Sequence, residues 1–417
     1  MASEPVATAE RHATWKELFF DLVVVAGIGQ LAHLLHEDTG PGALGLYAVL
    51  FLAFWISWAG FAVYGNVAGD DTRTGVLIAA MLGLAVMAAS VAGVQESRAS
   101  AFVVAYVALR WFSGAVIARG KVLLDWPLAQ YGIGAVPWLV SLWVDAPLTY
   151  WLWVLGIALD LVVLLLASAA RTMQGAEERL DRGRGGRRGS QPFVLQGTHA
   201  DEEHLAERLG LFVIIVLGEG LILIIDAAAD SEVWIREPGL VALGAFALLA
   251  SVWTAGLLHG TAGIPQLRPH TVAPRIVMLL HALLTGALAA LAASLGVAVE
   301  HAHEPLPAAY RALLCGSVAA YCAVGVVTAL LVGERGRWIL VRGLPGVLVP
   351  VALIVVGPDL SVGALVWLLV AVVVWLALER PADGRPRLTA PRPAGRTPRS
   401  GRGRGTRSAP RPGPPGT

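Results

Sequence analysis

The chain has 417 residues, of which 56% are hydrophobic and only 15% are charged, and its net charge is +1. Soluble domains carry about 25% charged residues, and their surface elements show one apolar and one polar face. Residues 152–167 and 363–378 are instead apolar on all sides, except at Asp160. The composition excludes a soluble globular protein and predicts an all-α, polytopic membrane protein.

A membrane-spanning helix needs about 20 mostly apolar residues. The sequence predicts about twelve such spans, at residues 17–36, 43–65, 74–94, 99–118, 127–144, 148–170, 205–226, 239–259, 273–299, 307–332, 338–356 and 361–378. The fifth contains Pro137 and the eleventh contains Pro345 and Pro350, which predict kinks that neighbouring helices can accommodate. Residues 1–16 are polar and lead into the first span without a small-residue cleavage site, so we expect an uncleaved anchor.

A Gly/Arg-rich connection, residues 171–203, separates a first half of six spans (17–170) from a second half of six (204–378). Each half has a span that closes with a tryptophan and small residues, at Trp58 and at Trp253. An even number of spans in each half predicts a parallel repeat, related by an axis along the membrane normal. Chance similarity between apolar segments is the alternative.

The basic residues predict the orientation of the chain. Only Arg98, Arg236 and Arg311 lie on the odd-numbered connections, whereas the even-numbered connections and both termini hold nearly all other Lys and Arg. The positive-inside rule therefore predicts that both termini are cytoplasmic. Residues 379–417 are rich in Arg, Pro and Gly, so we expect a disordered cytoplasmic tail. Its arginines favour anionic lipids, and the absence of interleaved aromatic residues argues against nucleic acid.

Acidic residues lie inside spans, where a charge costs at least about 2.5 kcal/mol. Glu17 and Asp21 are four residues apart, so they share one helical face. They could bind a proton or a cation, or pair with Lys16 or with arginines of neighbouring loops and anchor the helix end. Glu219 lies about 18 Å along the helix from Glu207, near the membrane midplane. It must be protonated or paired with a cation, as part of a function or of a structural hydrogen bond.

Further ionisable residues lie in the spans or at their ends. Arg110 in the fourth span needs a carboxylate, and Asp160 is its expected partner, in a structural or a transport role. His281 suits a proton relay or a hydrogen-bonded core position. The remaining candidate ligands are Asp70, Asp71 and Arg73 at the cytoplasmic mouth, with His204, Glu207 and Arg208 at the start of the seventh span.

Metal, cofactor and catalytic signatures are absent from the sequence. Residues 199–207 are dense in His, Asp and Glu but fit no metal-binding spacing, so a solvated acidic helix start is the alternative. This segment is the only candidate site for a membrane enzyme, and we expect no enzymatic activity and no cofactor. Cys315 and Cys322 are about 10 Å apart along one helix and cannot bridge each other.

The motifs resemble those of the bacterial low temperature requirement A (LtrA) family. They are Glu17-Leu-Phe-Phe-Asp-Leu-Val, Asp70-Asp71-x-Arg73, Tyr106-x-x-x-Arg110, Ile157-x-x-Asp160-Leu and Glu207-Arg-x-Gly-Leu-Phe-x-Ile-Ile-x-Leu-Gly-Glu219. The resemblance covers about residues 14–378. The chain departs from the family at Gly220, where serine is usual, and after Trp253, where the family has more aromatic residues. The resemblance implies a membrane protein linked by name to growth at low temperature, without an agreed activity, cofactor or substrate.

Two functional hypotheses follow. The first is a secondary transporter or ion-coupled permease for an unknown small solute, in the bacterial cytoplasmic (inner) membrane, with buried acids as proton or cation sites. The second is a non-transporting sensor or structural protein that supports the envelope in the cold. Membrane lipids are the expected surroundings, nucleic acid is not an expected partner, and the sequence leaves the oligomeric state open, a homo-oligomer included.

Overall fold

The computed structural model describes residues 12–117, 121–123, 125–129, 131–167, 174, 196–229, 237–258, 272–333 and 336–378. The expected tail at 379–417 and most of the connection at 171–203 lie outside these residues.

The described chain is built from helices. They are α1 (Trp15–Glu37), α2 (Pro41–Ala68), α3 (Thr74–Val91), α4 (Ala99–Ile117), α5 (Ala135–Val140), α6 (Leu148–Leu166), α7 (Glu202–Ala229), α8 (Glu237–Trp253), α9 (Pro274–Glu300), α10 (Ala308–Leu331), α11 (Leu344–Val356) and α12 (Val362–Ala377). Ten segments of this described part are long and apolar enough to cross a membrane, and α12 is an apolar helix of 16 residues. The chain is thus a multi-pass helical membrane protein.

The predicted fifth span, residues 127–144, is not one continuous helix. It folds as two 3-10 turns, Pro127–Ala129 and Ser141–Trp143, around the six-residue helix α5. Six residues rise only about 9 Å, too little to cross the membrane. Pro137 explains part of the break, because a proline is tolerated in the first turn of a helix but not in its interior.

This broken segment nevertheless lies alongside α4 and α6. The carbonyl of Ala129 lies against Gly114, near the end of α4. Further along, the ring of Trp138 stacks on Phe102, near the start of α4, and on Trp153 of α6. The segment therefore runs antiparallel to α4.

The predicted eleventh span is also irregular. A π-helical segment, Ile339–Gly343, precedes α11, with Pro345 in the first turn of that helix and Pro350 inside it. A short parallel strand pair, β1 (Lys121–Leu123) with β2 (Gln196–Thr198), joins the loops that follow α4 and precede α7.

Helix α1 has α2, α3, α7 and α9 as neighbours, and α7 also packs against α8 and α9. Glycines allow close approach in both helices: a Cβ at Gly27 of α1 would meet Phe54 at 2.5 Å, and one at Gly220 of α7 would meet Ala292 at 3.0 Å. The packing thus brings α1 and α7 side by side. Glu17, Asp21 and Glu219 lie along this contact, whereas Asp160 is buried between α4 and α6.

Candidate functional site

The start of α1 is fixed by its own acid. The backbone nitrogen of Thr14 donates to Glu17 Oε2 at 2.9 Å, as part of a capping box, and the Thr14 hydroxyl donates to the same oxygen at 2.8 Å. The side chain of Glu17 is 1% exposed. Glu17 therefore serves the helix end, as one of the two sequence interpretations expected.

Asp21 of α1 is bound by an arginine of α7. Arg208 of α7 donates from Nη2 to Asp21 Oδ1 and from Nη1 to the Ala62 carbonyl of α2 at 3.3 Å. Trp58 Nε1 donates to the same Asp21 oxygen at 2.7 Å. The carboxylate and the guanidinium are both buried, and a buried charge without a partner is costly. Each group therefore compensates the charge of the other.

His204 completes this buried group, and its tautomer follows from its neighbour. The Asn66 amide accepts from Asp201 N at 2.8 Å through Oδ1, so its nitrogen faces His204 Nδ1 at 3.1 Å. An amide nitrogen can only donate, so Nδ1 accepts and the ring proton lies on Nε2. That nitrogen is 3.6 Å from Glu17 Oε2. We call Glu17, Asp21, His204 and Arg208 the Asp21 cluster.

The other predicted residues near this end lie outside the cluster. Glu207 lies at the rim, where its carboxylate accepts from Ala13 N at 3.1 Å and faces His12 at 3.4 Å. Lys16 donates to the Thr72 carbonyl at 3.0 Å. The side chains of Asp70, Asp71 and Arg73 are exposed on the loop between α2 and α3. The structure thus brings four of the candidate ligands together and leaves the mouth residues in solvent.

The residues just before α7 bond to neighbouring segments and so fix the start of that helix. His199 faces Asp125 at 3.1 Å, and Asp125 also accepts from Ala200 N at 2.8 Å. Asp201 forms a two-bond contact with the Asn66 amide. Within the described ranges, no group of three or more His, Cys, Asp or Glu residues is placed to hold a metal ion.

Glu219 lies deeper in α7, separated from Arg208 by about 16 Å of helix rise. Its carboxylate is half-buried and packs against Gly29 of α1, where an added Cβ would come within 2.3 Å of Oε1. His33 and Asp226 are its charged neighbours. Among the residues that the structure describes, Glu219 has no hydrogen-bond or ion-pair partner, so it differs from every acid of the Asp21 cluster.

His281 of α9 is a core histidine whose two ring nitrogens are both bonded. Trp55 Nε1 donates to Nδ1 at 3.1 Å, and Nε2 lies 3.1 Å from the Leu209 carbonyl. The ring packs on Trp58 and Phe212. With both nitrogens held, the ring joins α2, α7 and α9, and it has no bond to an acid.

Arg110 and Asp160 form the ion pair predicted from the sequence. Arg110 Nη2 lies 3.0 Å from Asp160 Oδ1, and Nε lies 3.2 Å from Oδ2. The same guanidinium donates to the carbonyls of Leu128 and Tyr131 at 2.8 and 3.1 Å. Those carbonyls belong to the broken fifth segment, so Arg110 satisfies backbone groups that no helix satisfies there.

Sequence reasoning missed three residues that shape these sites. Trp58 binds Asp21, Asn66 orients His204, and Gly29 makes room for Glu219. A signal existed for Trp58 and Asn66, because an indole N–H and an amide in a membrane both need partners. Gly29 gave no signal, since the sequence does not say which helix faces it.

The comparisons with known proteins agree with this architecture. Searches of curated proteins and of solved structures give no significant match. A family model described as "Bacterial low temperature requirement A protein (LtrA)" matches residues 12–377, which include all twelve helices and every residue of both sites. The chain therefore belongs to the bacterial low temperature requirement A (LtrA) family of multi-pass membrane proteins.

Proposed function

We propose that this protein is a proton-coupled secondary transporter of the bacterial cytoplasmic membrane, with Glu219 as its proton-binding residue. One observation carries the proposal. Glu219 is a half-buried acid deep in α7, at the contact with α1, and no described group bonds to it. An acid inside a membrane protein costs stability, so its presence calls for a function.

The surroundings of Glu219 favour a proton over a metal cation. Hard cations such as Ca²⁺ and Mg²⁺ take six or more oxygen ligands, and the described neighbours of Glu219 supply a glycine, a histidine and one exposed acid. A proton needs a single carboxylate oxygen. The protonated acid is neutral, so it can stay between α1 and α7 without a partner.

Asp21 has a different role in this proposal. Oδ1 of its carboxylate accepts from both Arg208 and Trp58 in a buried position, so the guanidinium already compensates its negative charge. The Asp21 cluster holds the start of α7 against α1 and α2. Transport then depends on Glu219 for coupling and on the Asp21 cluster for holding the two halves together.

The neighbour pattern of the helices supports two halves built alike. The contacts α1–α2, α1–α3, α3–α4 and α2–α6 of the first half correspond to α7–α8, α7–α9, α9–α10 and α8–α12 of the second. Such a parallel repeat occurs in secondary transporters, whose substrates bind near the midplane between the repeats. Glu219 lies past the middle of α7 (Glu202–Ala229), on the side that contacts α1, which supports a site between the proposed repeats.

The test is solute accumulation in proteoliposomes under an imposed proton gradient, with a panel of radiolabelled small solutes. We expect at least one solute to accumulate with the wild-type protein and not with Glu219→Gln. Glu96→Gln is the matched control, because Glu96 is an exposed acid in the loop between α3 and α4. Accumulation that is equal for wild type and Glu219→Gln, or that is absent for every solute, contradicts the proposal.

The second candidate function is a non-transporting structural or sensory role in the envelope. The dry ion pair between Asp21 and Arg208 favours it, because a buried pair across the two halves resists their relative motion. Deletion of residues 380–417 separates the two functions. A transporter keeps its flux without the Arg-rich tail, whereas a sensor that acts through anionic lipid loses its cold-growth phenotype.

A further inference from the structure

The solvent-facing side of α1 changes character along its length. Near its start the exposed side chains are Phe19 and Leu22, which are 58% and 51% exposed. Beyond them, the exposed residues are Ala26, Gln30, His33, His36 and Glu37. His36 lies 3.6 Å from Glu300, whereas Gln30, His33 and Glu37 continue the face of Phe19 and Leu22. These three residues follow at i, i+3 and i+7, so they lie on one face of the helix. Lipid-facing helix surfaces are apolar, so the second part of this face is unsuited to hydrocarbon.

Gln30 is too deep for this change to be explained by the membrane surface alone. It lies seven residues before the last residue of α1, which corresponds to about 10 Å of helix rise. Within the described part of the chain, its side chain has no protein hydrogen bond, and an amide group in hydrocarbon without a partner costs several kcal/mol.

Helix α7 shows a related change where it faces α1. Arg208, Glu219 and Asp226 lie within about 20° of one another around the helix axis, at 100° per residue, so they form one polar line toward α1. Asp226 is exposed, Glu219 is half-buried and Arg208 is fully buried. Exposure therefore falls steadily along this line, from the end of α7 toward its start.

We propose that water enters between α1 and α7 from the end at which both helices finish, and that this polar crevice ends at Glu219. The proposal rests on the proposed function and deepens it, because it gives the proton site a side of access. The basic loops predict that this end faces the outside of the cell. Protons then reach Glu219 from the external solution past His33 and Asp226.

The opposite end is closed in the same structure. Arg208 bonds to Asp21 and to the Ala62 carbonyl, and Trp58 covers the same carboxylate. All three side chains are buried. The exposed faces beside them are apolar, with Leu22 on α1 and Ile214 on α7. Access to Glu219 from the cytoplasmic side would have to pass through these contacts.

Cysteine accessibility tests this route without any transported solute. The background protein carries Cys315→Ala and Cys322→Ala, which remove the two buried thiols. The test variants are Gly218→Cys and Gln30→Cys; a Cβ at Gly218 meets nothing within 4 Å, so the first adds no clash beside Glu219. The controls are Leu22→Cys and Ile214→Cys, on the exposed but apolar faces. The probe is a charged, membrane-impermeant thiosulfonate added outside intact cells.

We expect Gly218→Cys and Gln30→Cys to react at least about tenfold faster than the two controls, because only a thiol in water ionises to the reactive thiolate. Equal rates in all four variants, or reaction of the test cysteines only after solubilisation, would overturn the route. If a second copy of the chain covers the polar face, the test cysteines react only after solubilisation, and the route is contradicted. If the test cysteines react but no flux depends on Glu219, the crevice is supported and the proposed function is contradicted. If flux depends on Glu219 but the test cysteines do not react, the proposed function is supported and the crevice is contradicted.

Discussion

Arg208 of α7 is bonded to Asp21 of α1, although 187 residues separate them in the chain. The pair joins α7 to α1, two helices that pack side by side. Both side chains are buried, so each charge is tolerated only because the opposite charge is present. Removing one partner therefore costs more than the bond itself contributes.

Asp21→Asn tests this dependence. We expect the change to destabilise the protein by up to about 3–5 kcal/mol, because the buried guanidinium loses the carboxylate that accepts its hydrogen bond and keeps only Glu17, whose Oε1 lies 3.8 Å from Nη1. Thermal unfolding in detergent measures the effect. The double variant Asp21→Asn with Arg208→Gln should recover part of the loss, since it removes the uncompensated charge. Asp145→Asn, at an exposed acid, is the control. A double variant that is less stable than Asp21→Asn would contradict the pairing.

Arg110→Lys tests whether the guanidinium supports the broken fifth segment. Arg110 serves Asp160 and two backbone carbonyls at once, and a lysine ammonium cannot reach all of these acceptors in the same geometry. Each buried acceptor left without a donor costs about 1–3 kcal/mol. We expect lower thermal stability together with faster proteolysis or hydrogen exchange near residues 128–134. Arg98→Lys, with one carbonyl contact, is the matched control. If hydrogen exchange near residues 128–134 is unchanged in Arg110→Lys, the guanidinium does not support this segment.

The sequence predicted the long helices well because their signal is local. Hydropathy over about 20 residues reports the cost of backbone groups and charges in lipid, and ten helices of the described chain meet that criterion. The pairing of Arg110 with Asp160 was also predictable, since two opposite charges at similar depth must neutralise each other. The fifth span failed because hydropathy does not report whether an apolar segment is regular.

The candidate site was predictable only in part. The cost of buried acids identified Asp21 and Glu219, but not what each one faces. Lys16 and loop arginines were the expected partners of the first acids, whereas Lys16 bonds to a carbonyl and Arg208 takes Asp21. Helix rotation and neighbour choice decide such contacts, and in membranes they depend on side-chain packing that a single sequence does not specify.

His281→Phe separates a structural histidine from a proton relay. Both ring nitrogens are bonded in the structure, so we expect a loss of about 1–3 kcal/mol from leaving the Trp55 indole without its acceptor. The dependence of flux on the proton gradient should stay as in wild type. Thermal unfolding gives the first quantity and proteoliposome uptake the second. A stable variant whose flux no longer responds to the gradient would instead make His281 a relay.

Gly29→Ala tests the contact that positions Glu219. An alanine Cβ would lie 2.3 Å from Oε1 and 2.8 Å from Cδ of Glu219, so the carboxylate must move. Because these atoms are the far end of a flexible, half-buried side chain, the carboxylate can move aside at a cost of no more than about 1 kcal/mol, the lower end of the range for overpacking. We expect reduced flux in proteoliposomes even though the acid itself is intact, with only a small loss of thermal stability.

A second substitution that removes the clashing atoms makes the prediction specific. Gly29→Ala combined with Glu219→Ala should regain stability relative to Gly29→Ala alone, because the atoms that collide are gone, yet it should not regain flux. Gly45→Ala in α2 is the control, since a Cβ there meets nothing within 4 Å and alanine favours the helix by up to about 1 kcal/mol. If Gly29→Ala keeps full flux and stability, Glu219 does not depend on α1 for its position, which contradicts a role for the Gly29 contact in transport.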